Sequence, residues 1–307
     1  MTLAKRKVLV LGGSGMLGSM VVDALSRDPS FAITATVRSP DLERRLSGIY
    51  PSVDWRRFAP PSDEVDGLFD GQNWAVNAIG ITKPLIRDDR ADEIERAVEI
   101  NARLPHTLAR AAARAGVRII QIATDCVFSG TKGAYTEADA HDALDVYGKT
   151  KSLGETFHDN VHHLRCSIIG PEPKDFKFLI EWFRRQPAAA KLKGFANHRW
   201  NGVTTLQFAK LCGGIVRDGV ALGHLVHVIP TGTLSKAEML HEFASAYGRA
   251  DISIDTVDAP TVIDRTLATN QRDLNAALWS AAGYDRPPSV PEMIRELARF
   301  DYRAVPA

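Results

Sequence analysis

The sequence predicts a doubly wound α/β fold, in which helices cover both faces of a parallel sheet. Short apolar runs rich in Val, Ile and Ala alternate with longer helical stretches through the first half of the chain. The first apolar run passes directly into a glycine-rich turn and then into a helical stretch. Strands that are buried on both faces have this continuous apolar character, whereas strands of half-exposed sheets alternate apolar and polar residues.

The first half supplies at least four strands and two long helices of this sheet. The predicted strands are KVLVLGG (7–13), AITATVR (32–38), WAVNAIG (74–80) and RIIQIATD (118–125). The predicted helices are GMLGSMVVDALSRD (15–28) and ADEIERAVEINARLPHTLARAAARAG (91–116).

The alternation loosens in the second half, which predicts a smaller C-terminal lobe for binding a substrate. We assign residues 1–169 to the nucleotide-binding domain, and residues 170–202 and 230–307 to the lobe. Residues 203–229 combine an apolar helical run with the strand-like HLVHVIP (224–230), so they are able to return to the first sheet. Helices are expected around residues 236–247 and 290–300.

Composition indicates a globular protein that acts on small molecules. The chain has 307 residues, of which 45% are hydrophobic and 24% are charged, and its net charge of +1 argues against a nucleic-acid binder. No apolar run approaches the roughly 18 residues of a membrane span. Three cysteines without a Cys-x-x-Cys pair indicate a reducing compartment, so we expect a cytoplasmic protein without a membrane partner.

The turn after the first strand carries a dinucleotide-binding motif. Gly12, Gly15 and Gly18 follow the strand and open a helix. Glycines allow a tight turn, a close approach of the backbone to a pyrophosphate and close packing of helix on strand, while the helix N-terminus faces the anion. The motif predicts a Rossmann-type domain whose loop binds the cofactor. The other loop residues assigned to this contact are Ser14, Met16 and Leu17.

The second strand ends at Arg38, twenty residues beyond Gly18. NAD-preferring sites place an acidic residue there to bind the ribose hydroxyls, whereas a guanidinium suits a 2′-phosphate. Arg38 therefore favours NADP(H) over NAD(H).

Three further residues form a candidate catalytic group. Tyr147 and Lys151 are four residues apart, which places them on one face of a helix, and Thr124 ends a predicted strand at the edge where ligands bind. With the glycine motif, this pattern resembles the extended short-chain dehydrogenase/reductase family. Asn101 resembles an asparagine that many members carry on the preceding helix, and we assign it to the cofactor site.

The residue types explain the chemistry that this resemblance implies. A carbonyl that accepts hydride from a nicotinamide becomes an alkoxide, and the Tyr147 phenol can supply its proton. We expect the Lys151 ammonium to lower the pKa of this phenol and to reach the nicotinamide ribose. The Thr124 hydroxyl would hydrogen-bond the substrate oxygen and hold it for hydride attack.

Longer segments resemble the dTDP-4-dehydrorhamnose reductase family. They are VNAIGIT (76–82), ATDCVFSG (123–130) and GAYTEADAHDALDVYGKTKSLGE (133–155). The resemblance implies that VNAIGIT (76–82) forms a strand and loop that lie over the cofactor. It also implies that the turn after Thr124 lies beside the substrate. The residues assigned on this basis are Asn77, Ala78 and Gly80 for the cofactor, and Asp125, Cys126 and Val127 for the substrate.

Two departures from the family pattern concern residues beside the substrate. They affect which sugar the resemblance implies, not which type of reaction. Cys126 replaces the tyrosine that the rhamnose enzymes offer beside their substrate, and NHRWNGVTTL (197–206) departs from a Pro-Thr-containing segment. Cationic and aromatic side chains of the lobe suit a nucleotide diphosphate. The lobe residues assigned to the substrate are Lys177, Arg199, Trp200 and Arg265.

The resemblance implies an NADPH-dependent reductase of a nucleotide-linked 4-keto-6-deoxy sugar. One alternative is an epimerase of the same family, which would retain NAD and return the hydride. Another is a non-catalytic regulatory subunit, because the regulatory subunit of methionine adenosyltransferase resembles these reductases. The sequence offers no convincing metal-ligand set, and a homodimer is expected from the resemblance alone.

Overall fold

The computed structural model describes residues 4–304 and contains fourteen strands and ten α-helices in that range. The strands are β1 (Arg6–Leu11), β2 (Phe31–Val37), β3 (Asp54–Arg57), β4 (Trp74–Asn77), β5 (Arg118–Ala123), β6 (Val161–Arg165), β7 (Ile168–Ile169), β8 (Lys191–Phe195), β9 (His198–Trp200), β10 (Val203–Thr204), β11 (Leu225–His227), β12 (Leu234–Ser235), β13 (Ser253–Val257) and β14 (Ile263–Asp264). The helices are α1 (Met16–Ser26), α2 (Pro40–Ile49), α3 (Ala91–Ala97), α4 (Leu104–Arg114), α5 (Val146–Leu153), α6 (Leu179–Arg184), α7 (Thr205–Asp218), α8 (Lys236–Ala246), α9 (Arg272–Ala281) and α10 (Val290–Arg299).

Seven parallel strands form the central sheet in the order β11-β6-β5-β4-β1-β2-β3. This arrangement confirms the predicted doubly wound α/β fold of the Rossmann type. The strand order reverses at β1, between β2 and β4, and the crevice at such a reversal is where open α/β sheets bind ligands.

The apolar residues of β1 are buried on both faces of the central sheet. Val8 and Val10 belong to one buried cluster, whereas Leu9 and Leu11 belong to another on the opposite face of the sheet. All four are fully buried, and burial of each such side chain stabilises the fold by roughly 1.5–3 kcal/mol. This two-sided burial is why the four buried residues of the strand, VLVL (8–11), are all apolar.

Residues 203–229 lie against the first sheet. Helix α7 packs on α1, where a Cβ on Gly213 would be 2.9 Å from the Leu25 side chain. Strand β11 then pairs with β6 at the sheet edge. The chain thus leaves the first domain after β7 and comes back to it before the lobe is complete.

The residues assigned to the lobe form small sheets and four helices, α6, α8, α9 and α10. Strands β12, β9 and β14 form one sheet, and β13 pairs with β8 in another. Helix α8 packs on β8, β13 and α10, and it begins with a capping box between Ser235 and Glu238. The aromatic and basic segment 175–202 contains α6, β8 and β9 of this lobe.

Two further findings bear on the class of protein. No helix within residues 4–304 is both long and apolar enough to cross a membrane. Cys126, Cys166 and Cys212 are all free thiols.

Candidate active site

The glycine loop lies at the carboxyl end of β1. Gly12 has a positive φ of 79° and donates its amide to Thr36 Oγ1 at 3.0 Å. A Cβ on Gly18 would be 2.2 Å from the Gly12 carbonyl oxygen, so α1 approaches the strand more closely than any other residue would allow. Gly15 caps α1 without a side-chain hydrogen bond, which leaves the first amides of the helix for a ligand.

Other predicted cofactor residues lie along the same edge. Ser14 and Met16 are partly exposed in the loop, whereas Leu17 is buried. Arg38 follows β2 directly and is exposed, and β2 is the parallel neighbour of β1. Its side chain therefore starts from the edge at which the glycine loop lies, as a contact with a 2′-phosphate requires.

Asn77 and Asn101 shape the loop that follows β4. Asn77 donates to Gln121 Oε1 at 2.8 Å and accepts from the Ile79 amide at 3.1 Å. Asn101 lies in a π-helical turn between α3 and α4, and its amide group binds both the N–H and the C=O of Ile81 at 2.8 and 2.9 Å. Both side chains are buried, and their hydrogen bonds hold the backbone of residues 79 and 81 in place. They therefore set the shape of the loop that contains Ala78 and Gly80.

Thr124 follows β5 and begins a 3₁₀ turn that contains Asp125, Cys126 and Val127. Its Oγ1 accepts from the Cys126 amide at 3.1 Å and lies 3.3 Å from Asp125 Oδ1. Both Thr124 and Asp125 are buried. The hydroxyl is thereby held in one place beside α5.

Helix α5 carries Tyr147 and Lys151 and packs tightly on this turn. Asp145 caps the helix by accepting from the Gly148 amide at 2.8 Å. A Cβ on Gly148 would be only 2.4 Å from the Cys126 carbonyl oxygen. The missing side chain at position 148 therefore allows the neighbouring Tyr147 to lie against the Thr124 turn.

The structure keeps the Tyr147 phenol protonated. Burial raises the pKa of Tyr147, the nearby Cys126 adds to this, and a hydrogen bond with Thr124 opposes it. The net pKa of Tyr147 is therefore raised and not lowered as the sequence led us to expect, because burial dominates. Lys151 Nζ instead donates to the Ile122 carbonyl oxygen of β5 at 3.1 Å. A protonated phenol is the form that donates a proton to an alkoxide.

Asp125 and Cys126 face two cations from the lobe. Burial raises the pKa of Asp125, while Arg265 and Lys236 oppose the shift. Burial also raises the pKa of the Cys126 thiol, to about 12, so the thiol stays neutral. Arg265 is held by a 2.8 Å hydrogen bond from its Nε to the Phe128 carbonyl oxygen. The turn beside Thr124 and Tyr147 is thus flanked by positive charge.

The remaining predicted substrate residues are placed differently. Val127 is fully buried in a small apolar cluster with Phe128 and Tyr135, so its side chain is not open to a substrate. Trp200 is buried in the lobe core, a placement that favours packing. Lys177 and Arg199 are exposed, and neither forms a hydrogen bond or ion pair with the Thr124 turn within the described range.

Comparison with known proteins identifies the family. The family model described as the RmlD substrate binding domain matches residues 6–265. The chain belongs to this family. It is therefore an RmlD-like member of the extended short-chain dehydrogenases/reductases.

Individual relatives of this RmlD-like chain cover about half of it. A dTDP-4-dehydrorhamnose reductase of Aggregatibacter actinomycetemcomitans is 40% identical over 151 residues, which are 48% of this chain and 45% of that protein. The methionine adenosyltransferase 2 subunit beta of Rattus norvegicus is 27% identical over 161 residues, 49% of this chain and 42% of that protein. The match thus spans less than half the length of either relative.

A solved structure is similar over nearly the full chain. The dTDP-4-dehydrorhamnose reductase of Bacillus anthracis str. Ames, in complex with NADP, has a TM-score of 0.70 at 19% identity. The similarity covers 97% of this chain and 99% of that one. It supports the fold of the RmlD-like chain.

Sequence reasoning missed Lys236 in this RmlD-like site. Lys236 is the first residue of α8, its Nζ lies 5.7 Å from the Trp200 ring centre, and burial lowers its pKa while Asp125 opposes the shift. The capping-box pattern SKAE announces a helix start. Nothing in that pattern indicates that the start of the helix lies against Asp125.

Among the described residues, no group of three or more metal-ligating side chains is present.

Proposed function

We propose that the protein is an NADPH-dependent reductase of a nucleotide-linked 4-keto-6-deoxy sugar. The observation that carries this proposal is the convergence of Thr124, Tyr147 and Lys151 at the carboxyl edge of the sheet, on the same edge as the glycine loop. This is the edge at which open α/β sheets bind their ligands.

The residues of the loop fit a dinucleotide. The positive φ of Gly12, the uncapped start of α1 and the close approach at Gly18 together provide a backbone surface for a pyrophosphate. When bound, the nicotinamide supplies the hydride. Arg38 supports NADPH as the reductant, because a guanidinium at this place pairs with a 2′-phosphate.

The chain's own residues then position the substrate and supply the proton. The Thr124 hydroxyl orients the carbonyl oxygen, and Tyr147 donates its proton to that oxygen as negative charge develops. Lys151 provides a positive charge that stabilises the phenolate left behind. Arg265 and Lys236 flank the Asp125–Cys126 turn with positive charge, which suits an anionic substrate.

The test follows NADPH absorbance while the purified protein meets dTDP-, GDP-, UDP- and CDP-linked 4-keto-6-deoxy sugars. We expect turnover with at least one sugar, and a loss of at least about a hundredfold in kcat for Tyr147→Phe, the lower end for general acid catalysis. Tyr247→Phe is the control, because this residue lies beyond the C-terminal end of α8 in the lobe. Binding of NADPH without any reduction would contradict the reductase.

A regulatory subunit is the second candidate, favoured by the match to methionine adenosyltransferase 2 subunit beta. Stable co-purification with an unrelated enzyme, together with no turnover of any keto sugar, would support this candidate. Epimerisation without net oxidation of NADPH, with NAD retained through purification, would instead support an epimerase. The intact group of Thr124, Tyr147 and Lys151 favours an enzyme over a regulatory subunit. Arg38 favours the reductase over an epimerase, because a guanidinium there suits NADPH and such epimerases retain NAD.

A further inference from the structure

A buried charged cluster lies at the C-terminal end of α5. It consists of Arg165, Glu155, His141 and His227, which we call the Arg165 cluster. Arg165 is fully buried at the end of β6. Its Nη2 donates to Glu155 Oε2 at 2.5 Å and to His141 Nε2 at 2.7 Å, and its Nη1 donates to His227 Nε2 at 3.0 Å.

The cluster fixes the protonation of both imidazoles. A guanidinium only donates hydrogen bonds, so the Nε2 atoms of His141 and His227 must both be unprotonated acceptors. Each ring then carries its proton on Nδ1, which donates to Ser152 Oγ at 2.7 Å for His141 and to the Ala268 carbonyl oxygen at 2.8 Å for His227. Both histidines are neutral, and Glu155 supplies the negative charge that pairs with Arg165.

The cluster contacts each element that carries a candidate catalytic residue. Arg165 is the sheet partner of Ala123, the residue before Thr124. Its guanidinium carbon lies 5.2 Å from the Phe128 ring centre, just after the Thr124 turn. Glu155 follows the end of α5, and His141 binds Ser152 within that helix. The last turn of α5 is therefore tied to the strand beside Thr124.

Glu155 also acts on Lys151 electrostatically. Burial lowers the pKa of Lys151, and Glu155 opposes that shift. The other charged or titratable groups that face Glu155 are Arg165, His141, His163 and His224. Its Oε1 is buried and has no hydrogen-bond partner within residues 4–304, so one oxygen is not committed to Arg165.

We propose that Glu155 is a positioning residue for the reaction: held by Arg165, it fixes the end of α5 and keeps the Lys151 side chain charged. The proposal rests on the proposed function, since it affects turnover only if Tyr147 and Lys151 perform the reduction. Loss of the Glu155 charge leaves Lys151 buried without a compensating carboxylate. The ammonium then gives up its proton at a lower pH.

The test is the titration of Lys151 by NMR in protein with ¹³C-labelled lysine, with the resonance assigned from its absence in Lys151→Arg. In Glu155→Gln we expect the pKa of Lys151 to fall by at least about one unit, the lower end of the effect of a neighbouring opposite charge. Glu137→Gln is the matched control. Glu137 is also a partly buried carboxylate and it binds the His227 amide, but it does not contact Arg165. An unchanged pKa of Lys151 in Glu155→Gln would overturn the proposal.

A second pair of variants serves if Glu155→Gln does not fold. The His141 side chain is 26% exposed and its Nε2 lies 3.8 Å from Glu155 Oε2. His141→Arg places beside Glu155 a cation that stays charged throughout the titration, and it should lower the pKa of Lys151. His141→Gln keeps a neutral acceptor for Arg165 and should leave the pKa of Lys151 unchanged. Equal Lys151 titrations in the two variants would overturn the role of Glu155.

Kinetics separate this proposal from the proposed function. For Glu155→Gln we expect the alkaline limb of the pH profile of kcat to move down by about one pH unit, in step with the pKa of Lys151. KM for the keto sugar at neutral pH should be unchanged. The NMR titration needs neither cofactor nor substrate. An inactive wild type would overturn the reductase whatever Lys151 does, and an active wild type whose Lys151 ignores Glu155 would overturn the positioning role alone.

Discussion

Replacement of Gly18 by alanine tests the close approach of helix to strand on which the cofactor site depends. The added Cβ would lie 2.2 Å from the carbonyl oxygen of Gly12 and 2.8 Å from its carbonyl carbon. Ordinary van der Waals contact begins at 3.4 Å, so the new atom is about 1.2 Å too close to the oxygen. Both obstructing atoms belong to the backbone, and no side chain can turn away to relieve the contact.

We expect Gly18→Ala to lower the free energy of unfolding by about 3 kcal/mol, the upper end for overpacking, because α1 must move away from β1. A loss of this size lowers Tm by about 5 °C in a chain of 307 residues, because the unfolding entropy is about 2.1 cal/mol/K per residue. The displaced loop should also bind NADPH at least about tenfold more weakly. Thermal unfolding and fluorescence titration with NADPH measure the two effects.

Gly48→Ala is the control for Gly18→Ala. Gly48 lies in α2 with no atom within 4 Å of an added Cβ, and alanine favours a helix over glycine by up to about 1 kcal/mol. We expect this variant to be slightly more stable than the wild type and to bind NADPH normally. A Tm of Gly18→Ala within about 2 °C of the wild type would refute the reasoning from the Gly12–Gly18 approach.

Three further predictions concern the cofactor, α5 and acid stability. Arg38→Ala should weaken NADPH binding at least about tenfold, as expected for a lost charge-assisted hydrogen bond, and leave NADH binding unchanged; equal losses for both cofactors in calorimetry would contradict a 2′-phosphate contact. Gly148→Ala, whose Cβ would be 2.4 Å from the Cys126 carbonyl oxygen, should lower kcat at least about tenfold with NADPH affinity retained, and wild-type kinetics would show that α5 tolerates the displacement. Burial lowers the pKa of His163 from 6.5 to about 4, so the unfolded chain binds more protons and stability should fall by about 3 kcal/mol from pH 6.5 to 4. Urea unfolding of His163→Gln should show a correspondingly smaller loss, and an identical pH dependence would rule out this histidine as the cause.

The amino-acid sequence determined the fold class and the local motifs. Strands that are buried on both faces carry nearly continuous apolar runs, so VLVL in β1 and IIQIA in β5 predicted parallel strands. The glycines of the loop were predictable because a left-handed turn and a close helix–strand contact tolerate no other residue. The four-residue spacing of Tyr147 and Lys151 similarly follows from the helical repeat.

Only the tertiary structure decided which distant residues meet at the site. Lys236 and Arg265 reach the Asp125–Cys126 turn because the lobe folds back over the edge of the sheet, and contacts between residues more than a hundred positions apart leave no local pattern. The pairing of Glu155 with Arg165 spans only ten residues, but it depends on how the end of α5 meets β6, which no local pattern shows. The pKa of Tyr147 also depended on the fold, since burial of the phenol raises it. Spacing along a helix fixes which side chains share a face, but the surroundings of that face are set by packing.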